Sequence, residues 1–389
     1  MNYYLTQLFF YVVIQKTLTC TIILTMAITK ESVLAALRHV EDPDIKQDLV
    51  TLNMIENIQI DGSKLSFTVM LTTPACPLKE KIRQDCMAAI ETHLGTDLDV
   101  HIEMSSQVTT TRDNTPILPQ VKNIIAVASG KGGVGKSTVT ANLAVSLARE
   151  GAKVGVIDAD IFGPSIPTMF NCEKEKPGFK NEGERNLIIP IEQYGVKLIS
   201  IGFLTPAENA VVWRGPMASS ALKQFIGDTE WGELDYLFID LPPGTSDIHL
   251  TMVQTVPVTG AILVTTPQKV ALADARKGLK MFQQDQINVP VLGVIENMAY
   301  FSPEELPDNK YYIFGKGGGR ALAEECNVPF LGEIPLVQSI REGGDVGYPA
   351  IMQDNITGKA IEAVAEAAAQ QIAIRNAQFA KTEKVKMNT

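Results

Sequence analysis

A glycine-rich loop carrying two lysines constrains this chain more than any other feature. Gly130-Lys-Gly-Gly-Val-Gly-Lys-Ser-Thr138 places four residues between Gly130 and Gly135-Lys136-Ser137, the spacing of a phosphate-binding loop. The flanks agree with that reading. Asn123–Ser129 is apolar and β-branched, as a buried strand is. After the loop, Val139, Leu143, Ala144, Leu147 and Ala148 recur at helical spacing until Gly151 stops the pattern. In a strand–loop–helix unit the backbone N–H groups of Gly130, Lys131, Gly132, Gly133, Val134 and Gly135 can turn onto a phosphate, and the helix adds the positive end of its dipole. Lys136 is placed to reach the β/γ-phosphates of ATP and the Ser137 hydroxyl to meet Mg²⁺, with Thr138 closing the loop. Lys131 is surplus to this scheme. It projects outward, either to serve a nucleotide held by a facing subunit or as a solvated loop lysine.

The loop sits in an alternating α/β chain. Lys153–Ile157, Asp235–Ile239, Gly260–Val264 and Val291–Ile295 read as parallel strands with helical patterns between them. This predicts an α/β fold, a doubly wound, mostly parallel sheet over residues 121–376, with ligands at the strand C-termini. A small N-terminal α+β domain is expected over 29–104: a helix through Val33, Leu34, Leu37 and Val40, a hairpin about Asp61-Gly62, a helix Lys79–His93 and a strand Asp99–Glu103. Residues 105–120 read as a linker and 377–389 as a polar tail. Residues 1–25 hold two apolar pieces, Leu8–Ile14 and Thr21–Leu24, each too short to span a membrane. Met26 looks like a second beginning, so the segment reads as an extension from a misplaced start, with a weak membrane-touching segment as the alternative. Stable membrane insertion is not expected.

Composition removes other classes. With a formal net charge of −10 over 389 residues, the chain lacks the excess of cations that nucleic-acid binding needs. Its five cysteines are odd in number and none forms a C-x-x-C pair, which suits a cytoplasmic protein with reduced thiols. Cys76 lies between two prolines near the start of a helix, where a thiolate is stabilised. Three acids end strands: Asp158, Asp160 and Asp240. Asp240 fits the acid that holds Mg²⁺ through water in phosphate-loop proteins. The segments after Asp160 and Asp240 carry Pro164, Pro167, Pro242 and Pro243, and suit loops that switch with the γ-phosphate.

The two-lysine loop resembles the deviant phosphate loop of the family that includes the septum-site and plasmid-partition ATPases, the nitrogenase iron protein and the Mrp/ApbC-type iron–sulfur carriers. Gly163-Pro-Ser165, Trp213-Arg-Gly-Pro-Met217, Asp240–Asp247 and Glu296-Asn-Met298 resemble the carrier branch. Thr72–Pro77 resembles the motif of the MIP18-like domain that precedes such ATPases. The resemblance implies a slow ATPase working as a homodimer with ATP sandwiched at its interface and Lys131 crossing that interface. It implies Asp158 near Mg²⁺, Asp160 orienting the attacking water and Asn297 at the adenine. It also implies delivery of iron–sulfur clusters to apo iron–sulfur proteins, in concert with scaffold proteins. The family's C-x-x-C pair, which supplies thiolates for a 4Fe–4S cluster shared across the dimer, is missing after Asn297. Cys76, alone or with Cys172, is the substitute ligand in view. A nucleotide-gated scaffold without bound cluster is the alternative.

Overall fold

The computed structural model describes residues 28–112, 117–183, 185–204, 214–303, 305–306 and 309–385. The extension over 1–25, with Cys20, and Trp213 lie outside these residues. Contacts divide the described chain into two units, one taking residues up to Met70 with Glu80–Met104, the other Leu71–Lys79 with everything from Ser105.

In the first unit, helix α1 (Lys30–Leu37) opens on Thr29, whose hydroxyl accepts from the Ser32 N–H in a reciprocal capping box. Strands β1 (Ile55–Asp61) and β2 (Lys64–Leu71) pair antiparallel across the expected turn at Gly62. Helix α2 (Lys79–Leu94) and strand β3 (Asp99–Ser106) follow, and the sheet order is β1-β2-β3.

The second unit is built on a sheet whose central strand is β4 (Val121–Ser129). Its neighbours are β10 (Leu234–Asp240) and β11 (Gly260–Thr265), both parallel to it. Strand β5 (Val154–Asp158) lies outside β10, and β12 (Val291–Phe301) outside β11. The sheet extends further to β9 (Val196–Ser200) on one side and β13 (Phe330–Leu336) on the other, and a short antiparallel β8 (Ile191–Gln193) ends the β9 side. A separate hairpin joins β6 (Gly178–Glu182) to β7 (Arg185–Ile189).

Successive β4 residues face opposite layers, and both layers are buried, which is why the strand reads as a continuous apolar run. Ile125 and Val127 join a core with helix α3 (Lys136–Arg149) and the C-terminal helix Ile356–Gln378. Ile124 and Ala126 join the opposite core, with helices Gly215–Gly227, Asp247–Thr255 and Lys269–Phe282. Strand order reverses at β4, so the turn leaving it opens between diverging connections, where α/β sheets take ligands.

Two segments behave differently from expectation. Part of the linker is tightly held: Val108 is in the core, and the buried Arg112 guanidinium donates to the carbonyls of Ile117 and Leu118. The Leu71–Lys79 segment packs with the ATP-loop unit. Ala75 joins its core, and the buried Tyr236 hydroxyl donates to Thr73 Oγ1 at 3.1 Å. Tyr236 lies near the beginning of β10 and Asp240 at its end, so the segment bearing Cys76 is pinned at the strand end away from the phosphate loop. Among the described residues, no helix is long and apolar enough to cross a membrane.

Candidate functional site

The phosphate loop turns at Gly133 (φ +80°) and Gly135 (φ +81°), backbone conformations that favour glycine. Helix α3 begins at Lys136 immediately after, so its unpaired N–H groups face the loop. A small cavity of about 170 Å³ is lined by the loop from Lys131 to Thr138 together with Asp160, Ser165 and Pro243. Lys131 is exposed and Lys136 buried.

Asp240, fully buried at the end of β10, gathers three donors. Lys136 Nζ lies 2.8 Å from its Oδ2, the Ser137 hydroxyl donates to the same oxygen at 2.6 Å, and the Thr140 hydroxyl donates to Oδ1 at 2.7 Å. Thr140 went unnoticed in the sequence, although it stands one helical turn past Lys136 and therefore shares its face. The Ser137 hydroxyl and the Asp240 carboxylate meet at one point, and Asp160 faces the same loop cavity. Hydroxyl and carboxylate oxygens are the donors Mg²⁺ takes when phosphates and waters complete its shell, so these residues fit ATP with Mg²⁺.

Asp160 lies 4.0 Å from Lys136 Nζ. Burial raises its carboxyl above the ordinary range, with Lys136 opposing. Asp158 differs from the expectation of a metal-side acid, because protein donors engage both its oxygens. Oδ2 accepts from the Ser200 hydroxyl at 2.9 Å and the Ile166 N–H at 3.3 Å, and Oδ1 from the Asp160 N–H at 3.3 Å. Burial, then the neighbouring Asp240, pushes its carboxyl up to about 7. Ser200 pairs with Asp158 in register on β9, a strand the sequence reading had not marked.

Asn297 is buried beside the loop, and its amide donates to Val134 O at 2.8 Å. A Cβ on Gly135 would come within 2.2 Å of that amide nitrogen, so the close approach requires glycine there. Asn297 also borders a cavity of about 400 Å³ lined by Gly135, Met298, Pro335, Leu336, Val337 and Ile340 among others. Its neighbour Glu296, equally buried, accepts from the N–H groups of Gly317 and Gly319 at the start of helix Gly318–Glu325. Two adjacent residues of β12 therefore hold two glycine-rich loops.

A family model described as "NUBPL iron-transfer P-loop NTPase" matches residues 120–373. The chain belongs to this family of P-loop NTPases. A second model, "Iron-sulfur cluster assembly protein", matches residues 30–103. An iron–sulfur cluster carrier protein of Synechocystis sp. is 46% identical to this NTPase over 350 residues, covering 89% of this chain and 99% of the relative. A protein of the same name from Deinococcus radiodurans is 48% identical, covering 89% and 96%. A solved nucleotide-binding protein of Archaeoglobus fulgidus, in complex with ADP, is 40% identical, covers 62% of this chain and 92% of its own, and superposes with a TM-score of 0.53.

The thiols of this NTPase are unequal. Burial pushes Cys86 and Cys172 up to about 12, where thiolate is scarce. Cys172 also lies 3.5 Å from Pro167 O inside the core, so the expectation that it joins Cys76 as a ligand is not met. Cys326 is half-buried, and burial raises its thiol as well. Cys76 is half-buried at the start of α2. Among the described residues, no three His, Cys, Asp or Glu side chains converge as a metal-binding group.

Proposed function

We propose that this NTPase is an ATP-dependent iron–sulfur cluster carrier, which takes clusters as cargo and passes them to apoproteins while slowly hydrolysing ATP. The observation that carries the nucleotide half is the meeting of Ser137, Lys136 and Asp240 at the end of the central strands. Ser137 and Asp240 would hold Mg²⁺, which when bound neutralises charge on the β- and γ-phosphates. Lys136 would exchange Asp240 for phosphate oxygens, as its 2.8 Å contact places it at the same hydroxyl and carboxylate. Asp160, at the loop cavity and less buried than Asp158, would orient the attacking water. Asp158 is a positioning residue in this reading, holding the Asp160–Ile166 loop through its backbone contacts. The apolar cavity by Asn297, Met298 and Pro335 would take the adenine.

The exposed Lys131 would reach a nucleotide held by a second copy, making the active form a homodimer. Relatives carrying the name of cluster carrier support the cargo half. Cys76 is the thiol best placed to bind the cluster, because Cys86 and Cys172 are sealed in cores and burial, then the Glu325 charge, raises the Cys326 thiol. Two copies supply two Cys76 thiolates, with the remaining ligands coming from elsewhere. Anaerobic reconstitution with iron and sulfide tests this reading, comparing the full chain with its Cys76→Ala variant and counting iron per dimer. A transferable cluster lost with Cys76 is the expected result. No cluster in either protein would overturn the cargo half and favour a nucleotide-gated scaffold.

A further inference from the structure

The loop that leaves Asp240, Leu241–Ser246, is fastened at three points. The Leu241 N–H donates to Val127 O at 3.0 Å and the Gly244 N–H to Ser129 O at 2.8 Å, both acceptors on β4. These bonds lie beside Pro243, which lines the phosphate-loop cavity. The third point is Ser246. Its N–H donates to Nδ1 of His249 at 3.2 Å, and its Oγ lies 3.2 Å from the same nitrogen. Its carbonyl accepts from the His249 N–H at 3.0 Å. Ser246 caps helix Asp247–Thr255 and His249 is the third residue of that helix. This is the spacing of a capping box, in which glutamate or glutamine is the usual second partner.

Histidine in that place carries a penalty. The side chain is 1% exposed, and because Nδ1 accepts, the ring proton sits on Nε2. Among the described residues Nε2 has no hydrogen-bond partner, and a buried N–H without an acceptor lowers stability. An apolar side chain would pack against Phe282, whose ring centroid is 6.4 Å away, without that loss. What the imidazole adds is an acceptor on a stiff ring. Burial pushes the ring down to about 4, so it is uncharged and able to accept at neutral pH. The helix beneath it is a fixed post. Ile248 and Met252 are in the core, the Thr251 hydroxyl donates to Ser219 Oγ at 2.9 Å, and the Val385 N–H donates to Val253 O at 3.1 Å.

We infer that His249 is a positioning residue for the nucleotide reaction, holding the Leu241–Ser246 loop against the phosphate loop so that it meets the γ-phosphate in one place. Pro242 and Pro243 stiffen the loop, so little slack separates Ser246 from the cavity. A displaced Ser246 would carry Gly244 and Pro243 with it. Asp240 would stay in place, because Lys136, Ser137 and Thr140 hold it from the other side. The inference rests on the reading of this site as an ATP site with a γ-phosphate-sensing loop, and it names what sets that loop.

The test compares full-length wild type with His249→Leu and His249→Gln. The chain has four histidines, so in a nitrogen NMR spectrum of isotope-labelled histidine the His249 ring is the signal missing from the glutamine variant. At neutral pH it should be the Nε2–H tautomer; an imidazolium or an Nδ1–H tautomer would overturn the proposal. His249→Leu should bind ADP within about twofold of wild type, while its affinity for a non-hydrolysable ATP analogue falls about fivefold. Its turnover number should fall by a similar factor. Its melting temperature should move little, because the lost cap and the removed unpaired N–H oppose one another. Glutamine restores an acceptor at the same spacing and should recover most of the affinity and turnover. An unchanged ratio of analogue to ADP affinity in His249→Leu, or an equal loss in His249→Gln, would overturn the proposal. A wild type that binds the analogue without turning over ATP would sink the hydrolysis reading alone, since the affinity ratio still decides the role of His249.

Discussion

Replacing Asp240 by asparagine probes the centre of the site. The side chain is fully buried, and its carboxylate faces Lys136 Nζ at 2.8 Å with that lysine also buried. Removing one partner of such a pair leaves a charge without compensation, at a cost of about 3–5 kcal/mol. A second effect opposes it. Asp158 is held up near 7 by burial first and by the Asp240 charge second. Its rise from 3.8 corresponds to about 4 kcal/mol. Asparagine at 240 removes the electrostatic part, so Asp158 ionises more easily and supplies part of the missing counter-charge to Lys136, recovering about 1 kcal/mol. The net loss is about 2–4 kcal/mol, a fall in melting temperature of about 5–12 °C for a unit of this size.

The pH dependence follows from the same groups. As pH rises from about 4 towards about 7, the unfolded chain releases the Asp158 proton while the folded protein keeps it. The folded state then binds more protons than the unfolded, so stability falls with rising pH across this window and levels off above it. Asp158→Asn should erase that contribution, and Asp240→Asn should shorten the window from its upper end. The assay is thermal unfolding of nucleotide-free wild type, both single variants and the double variant between pH 4.5 and 8.5. A coupling of about 1 kcal/mol or more is expected between the two sites. Additive effects, or an Asp240→Asn variant melting within about 1 °C of wild type, would refute the account.

Lys131→Ala should leave nucleotide affinity within about twofold but abolish ATP-dependent dimerisation, read by light scattering, and lower turnover. An unchanged ATP-bound oligomer with unchanged turnover would remove the role of Lys131 in the facing subunit. Asn297→Ala strips the buried Val134 carbonyl of its donor, at about 1–3 kcal/mol. Affinity for a fluorescent ADP should fall about tenfold, and wild-type affinity would show that the contact does not order the loop.

The phosphate loop, its strand and helix, and the acids at 158, 160 and 240 were legible because each is a local pattern. Periodicity marks strand and helix, glycine spacing marks the turn, and an acid after an apolar run marks a strand end. Strands β9 and β13 were missed. β9 is short, and β13 is interrupted by Gly332, at φ +140°, and Pro335, so neither stands out over a window of a few residues. Missing β9 hid Ser200, whose register beside Asp158 turns that acid inward.

Sequence by itself determined that a nucleotide phosphate is gripped between a β-strand and a helix, because glycine backbone freedom and residue spacing are properties of a continuous segment. Which acid lines the loop cavity and which is sealed away, which thiols are buried, and that Glu296 and Asn297 tie together loops far apart in the chain were decided only by the tertiary structure. Burial, charge proximity and hydrogen-bond partners are set by residues brought together across the fold, and these fix the chemistry each side chain can perform.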